Sequence, residues 1–224
     1  MDKLSLYEIL SFVIPGFIVI KLVDIFRFLL LDSNNLFSSN NIGESLILFC
    51  ASLVLGVIIH VLTTQVILKM PFLKKLVYTS VKDVELGEYS KLIIPYLNGE
   101  YTKLKKHDSN ENTSNQPTDY LFDFAYYYLE VNDKITQVKN FQSLYFMFRN
   151  FFTIGLILVP ILLFTIFYSY YNELNQTQNL GLSLLIVFIG LLVNIYVTRW
   201  LRVKMIERVF ESYYADRTHN NTNT

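Results

Sequence analysis

Residues 151–171 read FFTIGLILVPILLFTIFYSYY, and residues 180–200 read LGLSLLIVFIGLLVNIYVTRW. The first stretch holds no charged side chain; the second holds only Arg199, at its end. A helix climbs about 1.5 Å per residue, so about 20 apolar residues match the hydrocarbon thickness of a bilayer. Backbone N–H and C=O groups in hydrocarbon must be satisfied within the segment, which makes each stretch a helix rather than a strand or loop. Pro160 is expected to kink the first of them.

Two further stretches lie upstream. Residues 45–68 are uncharged and carry His60 beside a Thr63-Thr64-Gln65 cluster. Ile9–Ile20 is cleanly apolar but too short to span alone, and Lys21, Asp24 and Arg27 then interrupt a run that continues to Leu31. Taken whole, residues 7–31 are long enough if those charges are accommodated. The expected fold is an all-α integral membrane protein, with four transmembrane helices and cytosolic helical extensions. Met1–Ser5 makes a poor signal peptide with no cleavage site after it, so the first segment is expected to stay in the mature protein.

The composition agrees. Of 224 residues, 52% are hydrophobic and 17% charged, against about 25% charged in soluble domains. The net charge is zero, which gives no general case for binding nucleic acid. Cys50, the single cysteine, has no partner for an internal disulfide, and thiolate metal sites are excluded. It reads as a small apolar packing residue.

Lysine and arginine set the orientation. The loops at 32–44 and 172–179 have neither. Lys69, Lys74, Lys75 and Lys82 follow the second stretch; Lys134, Lys139 and Arg149 precede the third; Arg202, Lys204, Arg208 and Arg217 follow the fourth. The middle segment and both termini are therefore expected in the cytosol, as in a multi-pass protein of a bacterial inner membrane. The layout becomes a transmembrane hairpin over 1–68, a cytosolic helical segment over 69–150, a second hairpin over 151–200, a helical extension over 201–216 and a disordered tail over 217–224.

Within the cytosolic segment, residues 105–117, KKHDSNENTSNQP, read as a disordered loop. Pro95 and Asn98-Gly99 read as helix breakers. Phe124, Tyr128, Val131, Ile135, Val138, Phe141, Tyr145 and Phe148 recur at spacings of three and four, the stripe of one buried helical face. With no obvious breaker before Phe151, one long helix is expected to run into the third span. Leu201, Met205, Val209 and Tyr213 continue the fourth span in the same way.

No nucleophile elbow, phosphate-binding glycine loop, HExxH or cysteine pair is present, and no catalytic residue, cofactor or metal site is assigned. Asp83, Glu85 and Glu88 read as a solvated acidic face. The candidates lie inside the apolar stretches, where polar groups are costly. Lys21, Asp24 and Arg27 share one helical stripe, which either faces an aqueous path in an oligomer or, with the first span ending near Lys21, lies at the outer interface or is paired within the bundle. His60, Thr63, Thr64 and Asn194 are candidates to line an inner pore mouth, with interhelical hydrogen bonding as the plain alternative. Pro15 and Gly16 read equally as a hinge or as a packing kink. Tyr128, Val131, Ile135, Val138, Phe141 and Arg149 form a candidate partner-binding face.

The opening LYEILSFVIPGFIVIKL, residues 6–22, resembles the Y-x-x-L-S-x-x-I-P-G-F start of small bacterial four-span membrane proteins. Residues 122–152, FDFAYYYLEVNDKITQVKNFQSLYFMFRNFF, look like their second feature, an aromatic helix ending in Phe148-Arg149-Asn150. Several such proteins resemble membrane subunits of anti-phage defence systems. The resemblance implies a cytosolic sensor controlling a membrane partner. The resulting expectation is a homo-oligomeric inner-membrane effector, a gated pore or membrane-disrupting subunit, with a cytosolic protein or small signalling ligand as its trigger. The alternative is a membrane anchor or sensor that recruits a cytosolic effector.

Overall fold

A computed structural model describes residues 9–31, 42–84, 90–104, 119–171 and 177–222. Among these residues every regular element is helical. A π-helical turn, Ile9–Val13, leads into α1, Ile14–Leu31; α2 is Ile42–Gln65. A 3-10 turn at Ile67–Lys69 leads to α3, Pro71–Val77; then come α4, Ser90–Leu104, α5, Asp119–Val131, α6, Thr136–Tyr171, and α7, Thr177–Thr222. The loop expected at 105–117 and most of that at 172–179 lie outside the described residues, as do Glu85, Glu88 and His107.

Three helical stretches are long and apolar enough to cross a membrane: Ile42–Lys69, Thr136–Tyr171 and Asn179–Thr218. The π turn and α1 together are of spanning length, but the charges of Lys21, Asp24 and Arg27 set that segment apart from the other three. Most of the apolar surface of the three is bare. Within the most apolar window of each, 22%, 28% and 6% of residues are buried in the chain, respectively. Leu185, Ile189, Leu192 and Tyr196, each more than half exposed, make one open apolar face on α7.

The chain divides into two compact units, Met1–Val77 with Ser143–Thr198, and Tyr78–Gln142 with Arg199–Thr224. In the first unit, Phe152 packs with Ile67 and Val77 in a small core, joined by Leu156, Leu191 and Ile195.

The second unit has the denser core. Ile94 and Leu97 of α4, Leu129 of α5 and Ile206 and Val209 of α7 are at most 1% exposed. The stripe Leu201, Met205, Val209 and Tyr213 is buried throughout. The α5 stripe is shifted from the expected one. Its buried face is Leu121, Phe122, Ala125 and Leu129, while Val131 is 83% exposed. Aromatic residues on both sides of this helix blur the pattern, because a tyrosine can cover apolar surface and keep its hydroxyl at the edge. The two amphipathic segments bury their faces against each other: Phe122 meets Phe210 edge-on, and Tyr128 meets Tyr213.

Three expectations are corrected here. The single helix from residue 119 into the third apolar stretch is broken after Val131. Asp133 has φ 56°, Lys134 N–H donates to Leu129 C=O (2.9 Å), and Asp133 N–H donates to Glu130 C=O (3.2 Å). This is a left-handed C-cap of the Schellman type, which Asp and Asn tolerate better than most residues lacking glycine's freedom. Pro95 and Gly99 do not break α4, which runs through both; burial of Ile93, Ile94 and Leu97 outweighs the one backbone bond that Pro95 removes. The tail expected to be disordered from 217 is helical to Thr222.

That last turn is held by charge. Arg217 Nη2 donates to Glu100 Oε2 (2.5 Å), and its guanidinium lies over the Tyr128 ring at 5.1 Å. Asp216 accepts from the Tyr128 hydroxyl (2.9 Å) and from Lys134 Nζ. Residues 201–222 follow the apolar stretch that ends at Trp200, so these groups lie beyond it. Burial alone would raise the Asp216 carboxyl, but the bonds from Lys134 and Tyr128 and the nearby Arg217 charge hold it below the usual carboxylate range.

A depressed carboxylate stabilises the fold above its unfolded pKa, about 3.9, and the contribution fades as pH falls through the lower folded value. Thermal unfolding of the detergent-solubilised chain should therefore lose stability as pH drops below about 4, and Asp216→Asn should flatten part of that loss. At the break, Asp133→Val should cost about 1–2 kcal/mol, the penalty for a side chain in the left-handed region, while Asp133→Gly should cost nothing.

Candidate functional site: a polar seam between apolar helices

Pro15 is the second residue of α1 and has no N–H to give to the carbonyl four residues back, that of Ser11. The π turn at Ile9–Val13 lies where the proline ring would otherwise press on that carbonyl. The freed carbonyl has a partner: Asn150 Nδ2, from α6, donates to Ser11 C=O at 2.8 Å. Ser11 Oγ in turn donates to the Ser143 carbonyl at 3.4 Å. Ser11, Asn150 and Ser143 are all at most 1% exposed, so a missing partner here would leave a buried polar group unsatisfied.

The crossing with α2 is closer still. A Cβ placed on Gly16 would lie 1.7 Å from the Ser52 carbonyl oxygen, and one on Gly56 would lie 1.8 Å from the Phe12 carbonyl oxygen. Backbone touches backbone, and Ser52-x-x-x-Gly56 supplies the small residues that allow it. Pro15 and Gly16 are both buried, so of the two sequence readings the geometry has the form of a packed crossing.

One turn further along α2, His60 is wedged between Phe12 (ring centroids 5.1 Å apart) and Phe146 (5.3 Å), beside Asn150 and Arg149. Arg149 is 5% exposed, with its guanidinium 4.5 Å from the Phe146 ring centre and 5.5 Å from that of Tyr145. Thr63 and Thr153 join their hydroxyls at 2.7 Å. Thr63 also lies 2.8 Å from the Ile59 carbonyl. Thr153 likewise lies 3.4 Å from the Arg149 carbonyl, so each hydroxyl has an acceptor on its own helix and either can donate to the other.

The structure thus gathers His60 and Thr63 with Ser11, Arg149, Asn150 and Thr153. Thr64 is not part of the seam; its hydroxyl bonds back to the His60 and Val61 carbonyls. Asn194 accepts from Thr198 Oγ1 at 3.2 Å on its own helix. In the charged triad, Lys21 Nζ sits 3.4 Å from Asp24 Oδ2, Asp24 is 5% exposed, and Arg27 is half-buried. The expected partner face is corrected. Ile135 (4% exposed) and Val138 (0%) belong to the core of the second unit, and Arg149 to the seam of the first, so none of the three is available to a partner. Tyr128 and Phe141 are half-buried and packed against that core, and Val131 stays open.

Sequence reasoning missed Ser11, Ser52, Gly56, Asn150 and Thr153. Ser52-x-x-x-Gly56 is a readable small-residue signal; the pairing of Asn150 with the carbonyl that Pro15 frees is not, because it joins residues 139 positions apart. No cluster of three metal-ligating His, Cys, Asp or Glu side chains occurs among the described residues. Compared with known protein families, curated proteins and solved structures, the chain matches none.

Asn150→Leu should cost about 1–3 kcal/mol, the penalty for an unsatisfied buried carbonyl. In a Pro15→Ala background the helix can supply its own N–H, so the same change should cost less, with a coupling above about 0.5 kcal/mol. Additive losses in thermal unfolding would break the pairing argument. Gly16→Ala and Gly56→Ala should each exceed the about 1–3 kcal/mol of ordinary overpacking, because a backbone stands in the way; Gly181→Ala, in open space, should be tolerated.

Proposed function

We propose that this chain is a multi-pass protein of a bacterial inner membrane, crossing it four times with both termini in the cytosol, and acting as the oligomeric membrane subunit of an anti-phage defence system. One observation carries the membrane reading. Large apolar faces are bare, down to 6% buried in the most apolar part of α7. Each large apolar side chain left in water forgoes about 1.5–3 kcal/mol, and lipid or neighbouring subunits remove that cost. For the fourth crossing, the π turn and α1 have the length, and the Lys21–Asp24 pair lowers the cost of the charges.

The effector acts as a gated pore or membrane-disrupting assembly. The intramembrane charge of Lys21, Asp24 and Arg27 supports this reading, as does the unbroken course of α6 and α7 from polar into apolar sequence, which transmits displacement without a linker. A cytosolic protein or small ligand supplies the trigger. Purified protein reconstituted in liposomes should conduct ions, and Lys21→Leu with Asp24→Leu should change the selectivity.

A second reading, an anchor that recruits a cytosolic effector, has its own support. The hydroxyls of Ser11, Thr63 and Thr153 bond within the chain, and Tyr120, Tyr127 and Val131 form an exposed face on α5, 68%, 64% and 83% accessible. An anchor conducts nothing and co-purifies with one partner in fixed ratio, and Val131→Asp abolishes the association while leaving the fold intact. Reporter fusions at residue 36 and at the C-terminus test the topology; signals from the same compartment would sink it.

A further inference from the structure

The apolar stretch that holds α2 stops at Lys69, and the chain turns there. Met70 is extended (φ -79°, ψ 113°), the conformation a following proline favours, and Pro71 opens α3. Leu73, Leu76 and Val77 pack with Ile67 and Phe152 in the small core of the first unit, so the inner side of α3 is already covered. Its outer side is open. Phe72 is 73% exposed and Met70 46%. Lys69, Lys74 and Lys75 are exposed around them.

The charge of this patch has one sign, for no Asp or Glu stands between Glu44 and Asp83. Lys21, Lys134, Lys139 and Lys204 each reach a carboxylate. Lys69 and Lys75 reach none among the described residues. The place matters as much as the sign. The patch begins where an apolar stretch of 28 residues ends, so in a chain that spans a bilayer it stands at the depth of the headgroups. An aromatic and a thioether side chain beside amines suit that depth, where the acyl boundary meets the phosphates.

We propose that Lys69, Lys74 and Lys75 bind the phosphates of anionic phospholipids in the cytosolic leaflet, with Phe72 and Met70 seated in the acyl boundary. The inference rests on the membrane reading above. A zwitterionic phospholipid offers the same phosphate and the same acyl chains but carries a compensating cation. Three lysines with no acid among them favour the lipid whose net charge is negative. Because Leu73, Leu76 and Val77 hold α3 against the first unit, the lysines are presented on a fixed helix rather than on a loose tail.

The test places the full chain in liposomes. In a Cys50→Ser background, Phe72→Cys carries a bimane fluorophore. A small, equal fraction of lipid carries a nitroxide at the head of one acyl chain, either on phosphatidylglycerol or on phosphatidylcholine. The phosphatidylglycerol label should be enriched at the probe by about fivefold or more, the factor that one lysine contributes at an anionic surface. Lys69→Gln, Lys74→Gln and Lys75→Gln together should bring the two labels to equal quenching. Lys139→Gln, Lys204→Gln and Arg208→Gln remove as much charge from side chains that already have carboxylates, and should leave the preference standing. Equal quenching by both labels before the lysines are changed overturns the assignment, as does loss of the preference in the second set of variants. So does a probe that neither label reaches, the result expected if a second copy or another protein covers the patch. A chain that does not float with the liposomes takes the membrane reading down as well; a chain that floats while its probe shows no preference takes down the lipid assignment alone.

Discussion

The first unit depends on one unmade hydrogen bond. Proline at position 15 strips the Ser11 carbonyl of its helical donor, and an unsatisfied buried carbonyl costs about twice what a typical hydrogen bond contributes. The chain answers with the side-chain amide of Asn150, which ties α6 to the start of α1. Once that contact is made, the neighbouring geometry has little freedom. Gly16 and Gly56 let α1 and α2 meet backbone to backbone, and His60 fits between two phenylalanines from different elements. The seam is polar because the crossing is tight: hydroxyls and amides replace the side-chain volume that would hold the helices apart.

The second unit solves a different problem. Its helices carry apolar faces short enough to be buried within the chain, and the core of α4, α5 and the end of α7 does so almost completely. The break at Asn132-Asp133 makes this possible. A straight helix through residues 119–171 would hold its faces in one fixed register; the left-handed residue at 133 lets α5 set its own. Lys134, directly after the break, then reaches Asp216 near the end of α7, so one turn both ends a helix and secures another.

These two polar clusters differ in what surrounds them. The groups around Asp216 are mostly ions, and they pair closely: the Asp216 side chain is 8% exposed and accepts from Lys134 and from the Tyr128 hydroxyl. The seam around Asn150 is built of neutral hydroxyls and amides, apart from Arg149, whose charge is spread over two aromatic faces. Neutral donors suit a region from which water is excluded, because they can be satisfied without the desolvation cost of a full charge.

The helical class, the three long apolar stretches and the buried stripe of the C-terminal extension were all legible in sequence, because each is a local property. Length and charge decide an apolar helix, and a period of three to four decides a face. The tertiary structure alone decided the rest. The end of α5 at Val131 needed a left-handed Asp, which no period announces. Pro95 and Gly99 looked like breakers until the core of the second unit covered their helix. Ile135 and Val138 looked like a surface for a partner until the core of the second unit took them in. The role of Asn150 is the plainest case: it follows from a carbonyl 139 residues away, and only the folded chain brings donor and acceptor together.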